Sequence, residues 1–396
     1  MGERADNSAK WIVRRGVKAA VAGALCAAGA RWVVRNVARR VAGGSRVLIL
    51  SYHRPTADFA ADAKEALPSL LVSTRTLRMQ IQQLAREREI VSMDEACRRL
   101  AAPPSPLPAS GRTPDAVVLT FDDAYVGVHH DALPVLRDLR VPAVVYVPTA
   151  YVGTRRRLVH DRLYAALCEL RHRRVLPEAA GLPPEEQALL DACAGDGPGT
   201  TLDLLIARLP HPQLTAVTAA LEKRLGMDEE DLPEATRLMT WDELRALSAA
   251  GVHVGGHTVN HAALSNLPLA RARAEIVGCR DDIAAHLGEA PRHFAYPNGY
   301  YTPGVKRLVR DAGFVSAVTT EDLENRRGGD PFALKRKVLW ENSTLGAIGY
   351  SAALAACNLD GVFGALGWQR AYPGERSGPS EDVLEEPAER SDRAVV

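Results

Sequence analysis

The chain has 396 residues, of which 46% are hydrophobic and 24% are charged, so it can bury a sizeable core and wholesale disorder is excluded. Its formal net charge of +1 is unevenly distributed, because residues 1–46 carry ten Lys and Arg against two Asp and Glu while the other residues sum to −7. A nucleic-acid-binding domain is therefore disfavoured, since such domains carry positive charge on the folded body.

The six cysteines predict neither a metal site nor a disulfide framework. They lie far apart and include no CxxC pair, which excludes the usual thiolate zinc site and a thioredoxin-type motif. Ordinary thiols in a reducing compartment are the expectation for a chain of this length.

Residues 1–45 form a predicted basic arm. From Trp11 to Val41, basic residues are interspersed with Ala, Val and Trp at roughly helical spacing, and the longest uncharged run has 12 residues. That run is too short and too weakly apolar to span a bilayer, and a second Arg cluster disfavours a signal peptide. We expect a basic amphipathic helix within residues 10–41 that contacts an anionic membrane or packs on the domain. A solvated arm without a partner is the alternative.

Strands and helices alternate over residues 46–154, which predicts an α/β fold with a parallel sheet or barrel. The predicted elements of this part are a strand at 46–52, two helices within 74–100, a Pro-rich linker at 101–114, a strand at 116–121, a helix at 132–140 and a strand at 142–147.

Residues 155–237 interrupt this alternation. They are rich in Leu, Ala and charged residues and are broken by Gly and Pro, which predicts a helical insertion. The insertion could be a lid over a cleft, a surface for a partner or a packed decoration, and decoration is favoured because most such segments carry no function.

The alternation resumes over residues 238–345. Thr240 and Glu243 match a capping box that opens a helix through residue 250. The later elements are predicted as strands at 252–256, 292–296 and 315–319 and as helices at 275–287 and 306–312. A helical extension is expected at 346–373, followed by a disordered acidic tail at 374–396.

Three polar groups stand at the carboxyl ends of predicted strands, where parallel α/β folds place their sites. They are the Asp122-Asp123 pair, the segment 257–261, and the turn formed by Tyr296, Pro297, Asn298 and Gly299. We therefore expect these groups to converge on one site.

His257 and His261 are spaced to place both imidazoles on one side of a helical turn, within reach of one metal ion. Two His and one carboxylate suit zinc and leave a coordination position for water. Thr258 stands where zincins carry their general base, so the base must come from elsewhere, and the pair Asp122 and Asp123 supplies it. One carboxylate would bind the metal and the other would face the water, with the assignment left open. Alone, the Asp pair is more often a solvated turn and the His pair more often unliganded.

These motifs resemble those of a known family. T-F-D-D at 120–123, H-T-V-N-H at 257–261 and Y-P-N-G at 296–299 look like the motifs of the polysaccharide deacetylases, the carbohydrate esterase family 4 with the NodB homology domain. The match covers roughly residues 46–155 and 237–340. It implies a distorted (β/α) barrel with a helical insertion between the first and second motifs.

The resemblance also implies roles for individual residues. Asp122 would be the general base, and Asp123, His257 and His261 would bind one divalent metal ion, zinc by its donor set. A backbone N–H of the turn from Tyr296 through Pro297 and Asn298 to Gly299 would stabilise the oxyanion and contact the substrate.

Two residues that many family members carry are missing from this chain, so other residues must take their roles. Many members have Arg at the start of the third motif, paired with the base, where this chain has Ala295, and no Leu-His that could furnish the general acid follows His293. A branch resembling the poly-N-acetylglucosamine deacetylases places its acid on the first strand, where this chain has His53. His53 is therefore the candidate acid, with a structural His as the alternative. Arg336 is a weaker candidate for the missing Arg, with an ordinary ion pair as the alternative.

The function that this resemblance implies is hydrolysis of a non-peptide carbon–nitrogen bond. The substrate would be an N-acetylglucosamine-type sugar in a glycan, an exopolysaccharide precursor or a lipid-linked oligosaccharide, and the product would be acetate. Alternatives are a related metallohydrolase acting on peptidoglycan, an O-acetyl ester or a cyclic amide, and a catalytically silent glycan-binding protein. We expect a bacterial cytoplasmic protein, peripheral at the membrane, and disfavour secretion or a periplasmic location.

Overall fold

The computed structural model describes residues 2–42, 46–102, 115–175, 182–193 and 195–367. Within these ranges the strands are Val47–Tyr52 (β1), Arg54–Thr56 (β2), Leu71–Ser73 (β3), Glu89–Ile90 (β4), Ala116–Phe121 (β5), Ala143–Val147 (β6), Val252–Gly256 (β7), His293–Ala295 (β8), Ser316–Val318 (β9) and Lys337–Val338 (β10). Most of the predicted Pro-rich linker and the predicted acidic tail lie outside the described residues.

The α-helices of the same ranges are Gly2–Ala27 (α1), Ala30–Ala42 (α2), Phe59–Asp62 (α3), Thr74–Glu87 (α4), Met93–Ala101 (α5), Leu133–Leu139 (α6), Val159–Arg173 (α7), Pro184–Ala192 (α8), Pro198–Arg208 (α9), His211–Leu225 (α10), Trp241–Ala249 (α11), Leu269–Leu287 (α12), Pro303–Asp311 (α13), Ala352–Leu359 (α14) and Val362–Ala365 (α15). A π-helical turn, Val128–Ala132, precedes α6, so the helix predicted at 132–140 begins earlier.

Eight strands form one parallel sheet in the order β10-β1-β5-β6-β7-β8-β9, with β4 also paired to β5. Residues 334–338 connect the two ends of this order, because Leu334 bridges to Val318 in β9 and Lys337 pairs with Leu50 in β1. The sheet therefore curls into the predicted distorted barrel. Strands β2, β3, β4 and β10 were not predicted, since two or three residues carry no readable periodicity.

The central strands are buried on both faces, which explains why they read as continuous apolar runs. On one face, Leu48 and Leu50 pack with Leu77 of α4 in the layer of outer helices. On the other face, Val47 and Ile49 belong to the core inside the barrel. The central strands β1 and β5 therefore end between two filled layers, and polar side chains are grouped where these strands stop.

The helices predicted in the second part of the barrel are present, with shifted bounds. Thr240 caps α11 and forms the predicted capping box with Glu243, whose carboxylate accepts from the Thr240 N–H at 2.7 Å. The helix predicted at 275–287 begins earlier, at Leu269, directly after Pro268, whose fixed φ suits the position before a first turn. The insertion is helical as predicted, and α7 to α10 share a core that includes Leu163 and Leu221.

The basic arm differs from its prediction. It consists of two helices rather than one, bent by 69° between Val13–Ala27 and Ala30–Val37. The arm was expected to contact a membrane or to pack on the domain. Packing on the domain is observed, because Ala22 is buried against Leu354 and Phe363. Among the described residues no single helix is long and apolar enough to cross a membrane, and the bent pair meets that test only when both halves are counted.

Two arginines of the arm reach into the domain at the amino end of the sheet. Arg31 donates to Asp360 at 2.8 Å, and Arg35 donates to Glu87 at 3.0 Å and lies 3.5 Å from Asp115, directly before β5. The local net charge of +8 is compatible with a solvated basic arm. These ion pairs show instead that the arm is docked on the domain.

Candidate metal and catalytic site

Strand register brings His53 and Asp122 together. Tyr52 in β1 pairs with Phe121 in β5, and the Asp122 N–H donates to the Tyr52 carbonyl at 2.8 Å. The next residue on each strand therefore projects from the same end of the barrel, and His53 Nε2 lies 3.9 Å from Asp122 Oδ2. The candidate acid and the candidate base are neighbours.

The Asp122 carboxylate is held from two sides. Arg336, which is fully buried, donates to Oδ1 and Oδ2 at 2.7 Å each, and Ser51 Oγ donates to Oδ2 at 3.1 Å. Arg336 also donates from Nε to the Thr319 carbonyl at 2.8 Å and from Nη1 to Thr120 Oγ1 at 3.0 Å. The structure thus places Arg336 as the ion-pair partner of Asp122, rather than on the surface.

These contacts decide the charge of Asp122. Burial raises its pKa, but the charges of Arg336 and His257 and the hydrogen bonds from Arg336 outweigh burial and hold the pKa below its ordinary value. Burial lowers the pKa of His53, with partial opposition from the two aspartates. Asp122 is therefore a carboxylate at neutral pH, as a proton acceptor must be.

Asp123 faces away from this pair and towards the two histidines. Its Oδ1 lies 3.1 Å from His261 Nε2 and 3.5 Å from His257 Nε2, and the three ligand atoms lie within 4.8 Å of one another. Positive φ values at Asp123 and Ala124, +67° and +53°, turn the chain sharply after β5. The turn directs two consecutive carboxylates towards different partners, so Asp122 and Asp123 are distinguished by geometry.

The segment carrying the histidines is a loop, and the prediction of a helical turn there is wrong. Thr258 and His261 have φ values of +67° and +54°, which no right-handed helix contains. The Glu275 carboxylate of α12 accepts from the N–H groups of Val259 and Asn260 at 2.9 and 2.8 Å, in place of helical carbonyls. The two imidazole rings still meet, with centroids 4.9 Å apart.

The three residues fit a divalent metal ion. His257 Nδ1 lies 2.7 Å from the Ala295 carbonyl oxygen, so Nδ1 carries the proton and the Nε2 lone pair faces Asp123. Asp123 Oδ1 is buried yet accepts no hydrogen bond from the described residues. A buried, unsatisfied carboxylate oxygen between two imidazole nitrogens is the donor set of a zinc site with an open position.

The third motif forms a tight turn whose side chains do not all face the site. The Tyr296 hydroxyl donates to the Phe332 carbonyl at 3.0 Å, so this side chain lies in the core. Pro297 is also buried, and the Gly299 N–H donates to the Tyr296 carbonyl at 2.8 Å. The Asn298 N–H is therefore the candidate donor to a substrate oxygen.

We expect Gly299→Ala to lower both stability and activity. Gly299 has φ +75°, and an added Cβ would lie 2.1 Å from Thr320 Oγ1 and 2.5 Å from Thr320 N, so the turn must move. Gly251→Ala is the matched control, because Gly251 also has a positive φ, +87°, but open space for a Cβ. The control should lose on the order of 1 kcal/mol in urea unfolding with unchanged acetate release. Equal effects of both substitutions would contradict a role for the turn.

Four buried polar residues beside the metal ligands were not predicted. Asp161 accepts from Arg54 at 2.6 Å and from the Tyr125 hydroxyl at 2.8 Å, and this hydroxyl also lies 2.8 Å from His160 Nε2. The His160 ring packs edge-on against His261, with centroids 5.1 Å apart. Two features of the sequence could have indicated these residues. Arg54 directly follows His53, and the adjacent His160 and Asp161 lie near the start of the insertion.

The insertion borders the site, and the choice between a lid, a surface for a partner and a packed decoration stays a prediction. A small cavity of about 20 Å³ that opens to solvent is lined by Val159, Ile206 and Leu214 of the insertion and by His261 and Asn298 of the barrel. The insertion therefore forms one wall of the space next to a predicted metal ligand, and it limits what can approach from that side.

A second group with metal-ligand spacing lies elsewhere in the described residues. His129, His130 and Glu243 could offer three ligand atoms. The Glu243 carboxylate already accepts from the Thr240 N–H and from Arg237, so a cation there would compete with an existing positive charge. This group is the weaker metal site and serves as a useful control.

The sequence profile of the family described as polysaccharide deacetylase matches residues 109–173 and 195–317. These segments contain all three motifs, whereas His53 and Arg336 lie outside them. This chain belongs to the polysaccharide deacetylase family, and the prediction of a hydrolase acting on carbon–nitrogen bonds is confirmed at that level.

Several solved structures resemble this chain at low sequence identity. The deacetylase PplD of Streptococcus pyogenes, in complex with acetate, is 17% identical with a TM-score of 0.48, covering 76% of this chain and 95% of PplD. IcaB from Ammonifex degensii is 19% identical with a TM-score of 0.48, covering 80% and 98%. The BpsB deacetylase domain from Bordetella bronchiseptica is 17% identical with a TM-score of 0.45, covering 74% and 96%. No curated protein sequence matches the chain.

Proposed function

We propose that this protein removes the N-acetyl group from an N-acetylglucosamine-type sugar in a glycan or lipid-linked glycan precursor and releases acetate. Asp123, His257 and His261 would hold one divalent metal ion, for which zinc suits the donor set best. The observation that supports the proposal most strongly is the position of Asp122. It is a second carboxylate, paired with Arg336, at the same end of the barrel as the ligand set.

The catalytic roles follow from what each side chain contacts. A bound metal ion supplies Lewis acidity, which polarises the acetamide carbonyl and acidifies the attacking water. Asp122 accepts a proton from that water while Arg336 and Ser51 keep its carboxylate oriented. The Asn298 N–H donates to the oxygen that becomes negatively charged as water adds to the carbonyl carbon.

His53 completes the proton balance. The water hydroxyl joins the acetyl carbon, the carbon–nitrogen bond breaks, and the departing amine takes a proton from His53 Nε2, beside Asp122. Burial lowers the pKa of His53, so the proton that it donates has to be supplied, and Asp122, 3.9 Å away, supplies the proton that it has taken from water. The products are an amino sugar and acetate.

Removal of metal is expected to abolish acetate release, and added zinc is expected to restore it. His261→Ala should lose both the bound metal and the activity, because it removes one of three ligands. His130→Ala is the control, since it removes a 55%-exposed imidazole of the second His cluster. Metal content by mass spectrometry and acetate release are measured on each variant. Metal content that depends on His130 rather than His261, or full activity without metal, would contradict the proposal.

The substrate class is tested with a panel of soluble and lipid-linked glycans carrying N-acetyl or O-acetyl groups. We expect acetate to appear with a free amine on the sugar, as detected by mass spectrometry of the product. Release from O-acetylated glycans alone would favour the related esterase activity instead.

The proposed location is the cytoplasm, at the periphery of the membrane. Six scattered cysteines without a CxxC pair and an arm with a local excess of positive charge support it. Cell fractionation with a membrane marker is the direct measurement.

A further inference from the structure

The two arm helices carry apolar side chains on the face turned away from the domain. The largest of these are between 50% and 68% exposed, and we call them the apolar outer face: Val13, Val17, Trp32, Val33 and Val37. They are five of the eleven exposed large apolar residues in the described part of the chain. Between Val17 and Trp32 the other exposed positions, apart from Lys18, are alanines. Soluble proteins seldom gather exposed apolar residues in this way without a partner.

The opposite face of the same helices packs on the domain through both apolar and polar side chains, and Ala22 is buried there against Leu354 and Phe363. Arg31 and Arg35 contact Glu87 and Asp360, and Arg15 donates to Asn342. An ordinary surface helix has one apolar face, turned to the core, whereas these helices carry apolar residues on the domain side and also on the solvent side. The arm therefore has a second apolar environment to occupy outside the domain.

We propose that the apolar outer face inserts into the interface of an anionic lipid bilayer, so that the protein binds the membrane as a monotopic protein. The chain carries no Asp or Glu from residue 7 to residue 57, which suits a surface of negative charge. Arg14 is exposed beside the apolar residues, where it can meet lipid phosphates.

Side-chain chemistry also favours lipid over a protein partner. Trp32 is the most exposed of the five residues, at 68%, and Trp prefers the boundary between headgroups and acyl chains. The two helical halves, Val13–Ala27 and Ala30–Val37, together have the length and apolar composition of a broken membrane segment. Their 69° bend suits shallow insertion rather than a straight crossing.

The structure indicates that apolar contacts, rather than the arginines of the arm, should provide most of the affinity for the membrane. Arg31 and Arg35 are committed to ion pairs inside the protein, so they are not available to lipid headgroups. Binding should therefore rest mainly on the apolar residues and decline only slightly in high salt. A purely electrostatic arm would be released by the same salt.

The test is flotation of the full chain with vesicles of phosphatidylcholine alone or mixed with phosphatidylglycerol. We expect wild-type protein to float with the mixed vesicles, and the triple variant V17E/V33E/V37E to lose at least about tenfold in partitioning. The double variant V175E/L323E is the control, because both residues are exposed and apolar but lie elsewhere, and it should float like wild type. The Trp fluorescence of the wild type should shift to the blue with vesicles, and this shift should be lost in W32F.

Other outcomes identify other occupants. A triple variant that floats like wild type, or a wild type that ignores both vesicles, would overturn the proposal. Wild-type protein that forms a dimer without lipid, in a manner abolished by the triple variant, would assign the face to a second copy of this chain. Acetate release from a soluble glycan should be unchanged in the triple variant, so this test stands apart from the proposed catalytic function.

Discussion

Replacing Asp122 with Asn is expected to lower acetate release by on the order of 10³-fold while metal content stays near the wild-type value. The amide has the shape of the carboxylate but cannot accept a proton from water. The metal ligands Asp123, His257 and His261 are untouched by this change. Single-turnover acetate release and metal analysis on the same sample measure the two quantities.

Asp123→Asn is the matched variant, because it makes the same chemical change one residue along the chain. It should lose activity together with metal, since Asp123 Oδ1 lies between the two histidines. Reversed results, with metal lost in Asp122→Asn and retained in Asp123→Asn, would exchange the two roles. Normal turnover in Asp122→Asn would show that another group accepts the proton.

Replacing Arg336 with Met is expected to destabilise the protein by roughly 3–5 kcal/mol and to remove most activity. Arg336 is fully buried and provides two hydrogen bonds to Asp122, so its loss leaves a buried carboxylate without its partner. Urea unfolding at neutral pH measures the stability. The stability of Arg336→Lys should lie between those of the wild type and Arg336→Met, since Lys retains the positive charge but cannot make the bidentate contact.

The size of this loss should depend on pH. In the wild type the lowered pKa of Asp122 contributes stability above the pKa of an unfolded aspartate, and this contribution is lost as pH falls through the folded value. Without Arg336, burial raises the pKa instead, and the protonated acid tolerates burial better. The difference between Arg336→Met and wild type should therefore be largest at neutral pH. It should shrink as pH falls, first through the raised pKa of Asp122 in the variant and then through the lowered pKa in the wild type.

The double variant Asp122→Asn/Arg336→Met separates the ion pair from simple packing. It removes both charges, so it should be more stable than Arg336→Met alone, although it is inactive. A double variant with the summed losses of the two single variants would indicate that the two side chains act independently.

Much of the site could be predicted from the sequence because its residues follow strands. Asp122, Asp123, His257 and His53 each come directly after a recognisable apolar run, and parallel strands end at a common edge. The expectation that these residues converge on one site depends only on the strands and not on the loops between them. The metal-binding roles remain predictions that the geometry supports and that experiment must test.

The other parts of the site depend on contacts that are distant in the chain. Arg336 is 214 residues from Asp122 and precedes a strand of two residues, so no local pattern marks it. The loop holding His261 owes its shape to Glu275, on a helix whose charged surface looks ordinary in sequence. His160 and Asp161 open the insertion, where composition indicated only a helix.

The barrel is closed by residues 334–338, and this closure has a consequence for protein synthesis. Asp122 leaves the ribosome long before Arg336, and α1 long before α14, on which it packs. A nascent chain therefore holds an unpaired carboxylate and an arm without its docking surface, and burying either at that stage is unfavourable. We expect the first two thirds of the chain to stay open during translation, with barrel, site and arm completed in one late step.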